Sequence, residues 1–195
     1  MTSDCAYLKG VEFFGGIVDR FSDHCWEWMS PCEGWRALDV LGHVGAGVRF
    51  STALLLNEKP DWQPAEPPGN AVGQEPIKWW IQLAGPAREA LSGVDITRTV
   101  ETPLGKREIG RSLSFPAVDL FVHGWDLARV VDVRVEIPGQ IIEFAHALID
   151  PLPVAEVRSS RVFAREQVIP ISASPTDAFI AWTGRDPSWA MPAQI

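Results

Sequence analysis

Apolar residues recur at three- and four-residue intervals over most of the chain, and that spacing predicts helices joined by proline- and glycine-rich connections. From about Cys5 to Ser22, the residues Leu8, Val11, Phe13, Phe14, Ile17, Val18 and Phe21 form the inner face of a first helix, which should end at Ser22-Asp23. Cys25 to Pro31 is expected to be a connection, because the residue before a proline avoids helical backbone and Ser and Pro favour turns. A second helix should run from near Gly34 to Asn57. It is apolar on almost every side, with Leu38, Val40, Leu41, Val44, Val48, Phe50, Leu54, Leu55 and Leu56, so it belongs in the middle of a bundle. Gly42, Gly45 and Gly47 sit around His43 within it, each costing about 1 kcal/mol against alanine. Such a cost implies either close backbone packing or room for a ligand on that face.

Glu58 to Pro76 is rich in Pro and Gly and reads as a long surface excursion, a candidate cover for a pocket mouth. Ile77 to Leu91 returns to helical spacing, with Gly85-Pro86 expected to kink or divide it. Thr97-Val100 and Lys106-Ile109 alternate about Pro103-Leu104-Gly105, which predicts a small hairpin. A further helix covers Phe115 to Arg129. After it, Val131 to Pro138 is a connection with some strand character, and Ile141 to Ile149 is a short helix. From Pro151 the tail is punctuated by prolines until a last helical piece, Asp177 to Trp182, ends at Gly184. No internal repeat interrupts this order, and 195 residues suit one domain spanning 1–195, an all-α bundle with a minor hairpin and an irregular C-terminal extension.

The candidate chemistry lies on the helix from Phe115 to Arg129. Helical spacing puts Asp119 and His123 one turn apart on one side, with Asp126 just beyond, while Leu120, Phe121, Trp125, Leu127 and Ala128 cover most of the rest. One helix supplies only part of a metal's coordination shell, and His43 is the best candidate for a further ligand. Two imidazoles and a carboxylate suit Zn²⁺ with an open position, and also Ni²⁺ or Fe²⁺. The same spacing fits a buried ion pair or a solvated stripe, with His43 a core histidine bonded to a backbone carbonyl. Asp126 is either a support for the ligands, a pocket residue, or the partner of Arg129.

The remaining histidines and cysteines are weaker candidates. His146 shares helical spacing with Glu143 and Asp150 and belongs to a solvated face, while His24 follows Asp23 in a connection. Cys32 precedes a helix start that could lower its thiol pKa, yet no histidine lies near it in sequence, and a structural role is expected. Neither a phosphate loop, a serine nucleophile elbow nor a paired CxxC occurs.

Charge narrows the partners. A formal net charge of -8 repels phosphate backbones and anionic lipid, so neither nucleic acid nor membrane is an expected partner. Hydrophobic residues at 46% and charged residues at 22% belong to an ordinary folded chain. Three cysteines cannot all pair, and Met1 to Cys5 lacks the features of a signal peptide, which points to the cytoplasm and free thiols. The most apolar stretch, Val44 to Leu56, contains Arg49 and is too short to span a bilayer.

Four pieces together carry a family resemblance: Pro31-Cys32-Glu33-Gly34-Trp35, then Leu41-Gly42-His43-Val44, then Asp119 to Arg129, and finally Gly184-Arg185-Asp186-Pro187. The chain resembles an actinobacterial metal-binding family of the DinB-like superfamily, similar to the N-terminal domain of mycothiol-dependent maleylpyruvate isomerase. The resemblance implies an up-down-down-up four-helix bundle, with His43, Asp119 and His123 as metal ligands and as catalytic residues through the metal. Gly47 and Asp126 would line the substrate pocket. It further implies a divalent metal, zinc first with nickel or iron as alternatives, mycothiol as co-substrate, a small-molecule substrate and a homodimer formed through helix faces. Asp119 stands where some relatives carry Glu or His, which could alter metal preference. The isomerase has a further C-terminal domain with no evident counterpart here, so its activity is not expected to transfer. The leading expectation is a metal-dependent enzyme acting on a small organic molecule, a mycothiol-dependent transferase or isomerase, or a hydrolase, using a metal-activated thiolate or water. The alternatives are a non-catalytic metal- or small-molecule-binding bundle and a purely structural one.

Overall fold

The computed structural model describes residues 1–60, 64–102, 105–158 and 163–191. Four long helices make the core: α1 (Ser3–Val18), α2 (Ala37–Leu55), α3 (Pro76–Leu91) and α4 (Ile109–Val130). Helix α1 packs along α4 and α3, and α2 packs along α3 and α4, so the helices close a bundle around one another. The buried residues of α1, Ala6, Tyr7, Gly10, Val11, Phe14, Ile17 and Val18, keep the three- and four-residue spacing of its sequence. Phe14 meets Trp80 of α3 at 4.7 Å between ring centres, and Phe13 meets Phe121 of α4 at 4.9 Å. Val40, Leu41, Val44, Val48, Leu54 and Leu55 of α2 complete the same apolar core. The fold is the all-α, DinB-like arrangement with a small hairpin. No described helix is long and apolar enough to cross a membrane.

The glycines of α2 divide between the two expected purposes. A Cβ at Gly42 would lie 2.2 Å from the Pro68 carbonyl oxygen, and one at Gly45 would lie 2.2 Å from the Trp79 ring. At these two positions the neighbouring chain comes too close for any side chain. Gly47 is different: a Cβ there meets nothing within 4 Å. The excursion after α2 therefore returns to pack against it, as a 3-10 turn at Pro68–Ala71. Asp39 pins that turn, its Oδ1 accepting from the Gly69 N–H at 3.1 Å and its Oδ2 from the Arg36 N–H at 2.9 Å. The second bond also caps the first turn of α2.

Several boundaries differ from the sequence reading. The connection after α1 contains a 3-10 turn, Asp23–Glu27, because burying Trp26 against Phe21, with ring centres 4.1 Å apart, outweighs the turn preferences that follow it. Helix α3 is continuous through Pro86, which lies on the exposed side, where water can satisfy the carbonyl left without a partner. Helix α4 begins at Ile109, directly from the hairpin, and buries Ile109, Gly110, Leu113 and Ser114 before reaching Phe115. The hairpin pairs β1 (Thr99–Thr102) with β2 (Gly105–Glu108), Thr99 opposite Glu108; its Pro103-Leu104 tip lies outside the described residues.

Val131 to Pro138 forms no strand; the Ile137 N–H donates to Thr176 Oγ1 at 2.9 Å, a side chain taking the place of a neighbouring strand. Beyond it lie α5 (Gly139–Ile149), the single turn α6 (Val154–Val157) and α7 (Pro175–Trp182), with α5 resting on both α4 and α7. This extension brings Gly184 to Pro187 back against α4.

Candidate metal centre

Helices α2 and α4 bring His43, Asp119 and His123 together. His43 Nε2 lies 3.3 Å from Asp119 Oδ2, and His123 Nε2 lies 3.4 Å from Asp119 Oδ1. Each residue offers a ligand atom within 4.8 Å of the others, a set that could hold a metal ion. Neighbouring ligand atoms around a tetrahedral Zn²⁺ with bonds near 2.0 Å are roughly 3.3 Å apart, close to the two imidazole-to-carboxylate distances, which run to different oxygens of Asp119. The His43 and Asp119 side chains are 37% and 40% exposed and that of His123 only 8%. The cluster is therefore closed at His123 and open towards solvent at His43 and Asp119, and Gly47 stands one turn beyond His43 along α2 with free space over it.

The electrostatics favour positive charge beside the Asp119 carboxylate. Burial pushes the Asp119 carboxyl up, but the positive charge of His123, followed by the hydrogen bond and charge of His43, brings it down to about 2. Burial pulls the His43 imidazole down, and the Asp119 carboxylate more than reverses this, leaving it raised. His123 Nδ1 lies 2.8 Å from Asp126 Oδ2. Asp126 is fully buried against Arg185, whose charge overrides the upward push of burial and holds its carboxyl below the ordinary value. As an ionised acceptor it takes the Nδ1 proton, so His123 offers Asp119 either a second proton or the Nε2 lone pair. A lone pair facing a carboxylate oxygen at 3.4 Å is repulsive unless a cation lies between them.

Asp126 does not pair with Arg129. Arg129 turns away to donate to the Trp189 carbonyl at 3.0 Å. With no exposed surface of its own, Asp126 sits behind the imidazole rather than at a cavity wall. The solvated-face reading of His146 holds in part: its Nδ1 lies 3.2 Å from Asp150, while its ring rests 4.4 Å from that of Trp182. His24 is exposed beside Ser22, away from the centre.

Two neighbours of the site lie beyond the reach of helical spacing. Trp35 places its ring 5.0 Å from that of His43 and 6.0 Å from that of His123, forming an aromatic wall over both. The turn carrying it is fixed by Ser30, whose N–H and hydroxyl both donate to the Trp35 carbonyl at 2.9 Å, and by Gly34 at φ +79°. The second is Arg185. Cys32, in the same turn as Trp35, forms a second group with His123 and Asp126. Burial, then the nearby Asp126 charge, pushes its thiol up to about 12, so it is neutral at pH 7 and a poor nucleophile. Arg185 already supplies the cation for that group. A separate cleft of about 210 Å³, bordered by Trp125, Arg134, Glu136 and Asp177, contains neither histidine nor cysteine.

Residues 8–128 match the family model of the mycothiol maleylpyruvate isomerase N-terminal domain. The chain belongs to this family. The matched stretch contains His43, Asp119, His123 and Asp126 together with Cys32 and Trp35, whereas Arg185 lies outside it. A crystal structure of a histidine-to-alanine variant of mycothiol-dependent maleylpyruvate isomerase has the same fold, with a TM-score of 0.62 and 15% identity over 74% of this chain and 67% of that one. No curated protein matches the sequence significantly. Membership in the family of the isomerase N-terminal domain thus rests on the sequence match, and the structural likeness extends the common fold beyond residue 128, since it covers more of the chain than the family model does.

Proposed function

We propose that this protein is a metal-dependent enzyme that acts on a small organic molecule with a low-molecular-weight thiol, mycothiol, as co-substrate, in a transferase or isomerase reaction. His43, Asp119 and His123 would hold a divalent cation, zinc first, with nickel or iron as alternatives. A cation in that position supplies Lewis acidity, lowering the pKa of a thiol or water that reaches its open side. The observation that carries the reading is the pair of Nε2 atoms 3.3 and 3.4 Å from one carboxylate, on a cluster open to solvent along one side. Family membership supports the thiol, since the family is described by a mycothiol-dependent isomerase.

The chain's own residues have separate tasks. Asp119 places its charge between the two imidazoles, with one carboxylate oxygen towards each. Asp126 keeps His123 turned with Nε2 forward. Trp35 closes one side, excluding water and offering a flat apolar face to a substrate. Gly47 keeps the approach beside His43 open. Burial and the Asp126 charge hold the Cys32 thiol up at about 12, which supports a co-substrate rather than Cys32 as the source of a reactive sulfur.

The test is elemental analysis of the purified chain followed by thiol consumption. Mycothiol and small electrophiles are incubated with protein as purified, after chelation, and after restoring Zn²⁺, Ni²⁺ or Fe²⁺. Turnover that chelator abolishes and one metal restores is expected. Metal bound without turnover would make the chain a binding protein, and no metal bound would remove the reading. The same proposal takes residues 1–195 as one domain and two copies as a homodimer through helix faces, which sedimentation equilibrium reads as twice the chain mass.

A further inference from the structure

We infer that Arg185 is a positioning residue of the metal centre, supplied by the C-terminal extension: its guanidinium fork fixes the Asp126 carboxylate, and Asp126 fixes the His123 ring with Nε2 towards Asp119. The inference rests on the metal-centre reading above and adds to it a part of the chain that the family match does not include.

The geometry is a relay of three side chains. Arg185 Nε donates to Asp126 Oδ1 at 2.7 Å, and Arg185 Nη2 donates to Asp126 Oδ2 at 2.8 Å, a two-pronged pairing that fixes the plane of the carboxylate. Oδ2 is also the oxygen that accepts from His123 Nδ1 at 2.8 Å. The guanidinium and the imidazole therefore meet at one oxygen. With the fork in place, Oδ2 lies where it holds the ring at a single orientation. Without it, the one tether left to the carboxylate among the described residues is the imidazole itself, so the carboxylate can rotate and the ring loses the reference that sets its tautomer.

Arg185 acts a second way. Its Nη2 lies 3.5 Å from His123 Nδ1, so a fixed positive charge guards that edge of the ring. A cation is thereby kept from the Cys32, His123 and Asp126 group and directed to Nε2. The pairing is well shielded: the Arg185 side chain is 12% exposed and that of Asp126 0%. Thr183 Oγ1, 3.5 Å from Nη1, lies beside the fork at the end of α7, which ties it to the helix that delivers it. A residue placed only to fasten the extension would have no need to share its acceptor atom with a candidate ligand. Arg129 is such a fastener: among the described residues it bonds to the Trp189 carbonyl of the extension and lies over the Trp125 ring.

The test compares Arg185→Ala, Arg185→Lys and Arg129→Ala with the unmodified chain. Zn²⁺ affinity is measured by chelator competition, the Co²⁺ form by its visible spectrum, and the His123 tautomer in metal-free protein by imidazole ¹⁵N shifts. Arg185→Ala is expected to weaken Zn²⁺ about 10- to 100-fold, to change the Co²⁺ spectrum, and to replace the single Nδ1–H tautomer by a mixture. Lysine keeps the charge but not the fork, so Arg185→Lys should recover little, and it carries the test if the alanine variant does not fold. Arg129→Ala should bind metal as the unmodified chain does. Unchanged affinity and tautomer in Arg185→Ala, full rescue by lysine, or an equal loss in Arg129→Ala would each overturn the inference. If the unmodified chain takes up no metal, the metal reading fails, and the tautomer shift alone decides whether Arg185 positions the ring.

Discussion

Metal binding should show as stability, and His43→Ala should separate that contribution from the fold. His43 lies at the open edge of the cluster with its side chain 37% exposed, and its contact is to a carboxylate that is 40% exposed. In chelator, an ion pair that wet contributes about 0–1 kcal/mol, so the variant should melt within a few degrees of the parent. With metal present at about 100 times its dissociation constant, the native state gains about 2.7 kcal/mol. A chain of this size shifts by roughly 2–4 °C per kcal/mol, which makes the expected rise about 5–11 °C for the parent. His43→Ala leaves only Asp119 and His123, and the same metal concentration should raise its melting temperature by less than about 2 °C. Differential scanning fluorimetry at one pH, with chelator or with Zn²⁺, Ni²⁺ or Fe²⁺ in turn, reads parent and variant in each condition. A parent unmoved by every metal, or a variant that rises as far as the parent, refutes the reasoning. A variant already unfolded in chelator would make His43 a structural residue instead.

Gly42 and Gly47, two of the three glycines around His43, should respond to alanine with opposite signs. Gly42→Ala forces a Cβ to 2.2 Å from the Pro68 carbonyl oxygen and should cost about 1–3 kcal/mol, while Gly47→Ala meets nothing and should gain about 0.5–1 kcal/mol of helix propensity, both read by urea unfolding. Asp39→Ala should cost about 2–4 kcal/mol, since it strips the cap from α2 and orphans the buried Gly69 N–H. Burial pushes the Asp39 carboxyl up, but the bonds from Arg36 and Gly69 outweigh it and hold it below the ordinary value. The stabilisation is therefore complete above the unfolded pKa of about 4 and lost as pH falls through the folded one, so the gap between parent and variant should narrow below about pH 4. A gap constant from pH 7 to 3 would refute that account.

The bundle was legible because burial and helical period coincide: α1, α2 and α5 bury the residues that recur at three and four. Where the reading slipped, a tertiary contact overrode a local preference. Trp26 found Phe21, and the 3-10 turn formed despite the turn residues after it. Pro86 reads as a helix breaker in any list of residues, yet its position on the exposed face makes the missing bond cheap. The strand character of Val131 to Pro138 came from its β-branched residues, but a strand needs a neighbour, and Thr176 satisfies Ile137 instead.

The cluster followed a different rule. Asp119 and His123 were legible from a single helix, since four residues along α4 bring two side chains onto one face. His43 needed chemistry as well as spacing, for nothing in the period of α2 says that this position faces α4. Trp35 and Arg185 lie beyond both arguments. Arg185 stands 59 residues after Asp126, and the contact between them depends on how α5 and α7 carry the chain back. Gly184-Arg185-Asp186-Pro187 helps carry the family resemblance, but nothing in it names a partner for the arginine, which the fully buried Asp126 supplies. A helix this apolar buries Asp126, and a buried carboxylate requires a compensating cation from elsewhere in the chain. The buried acid is thus the sequence feature that joins the extension to the bundle: it binds the imidazole of α4 on one side and the returning tail on the other.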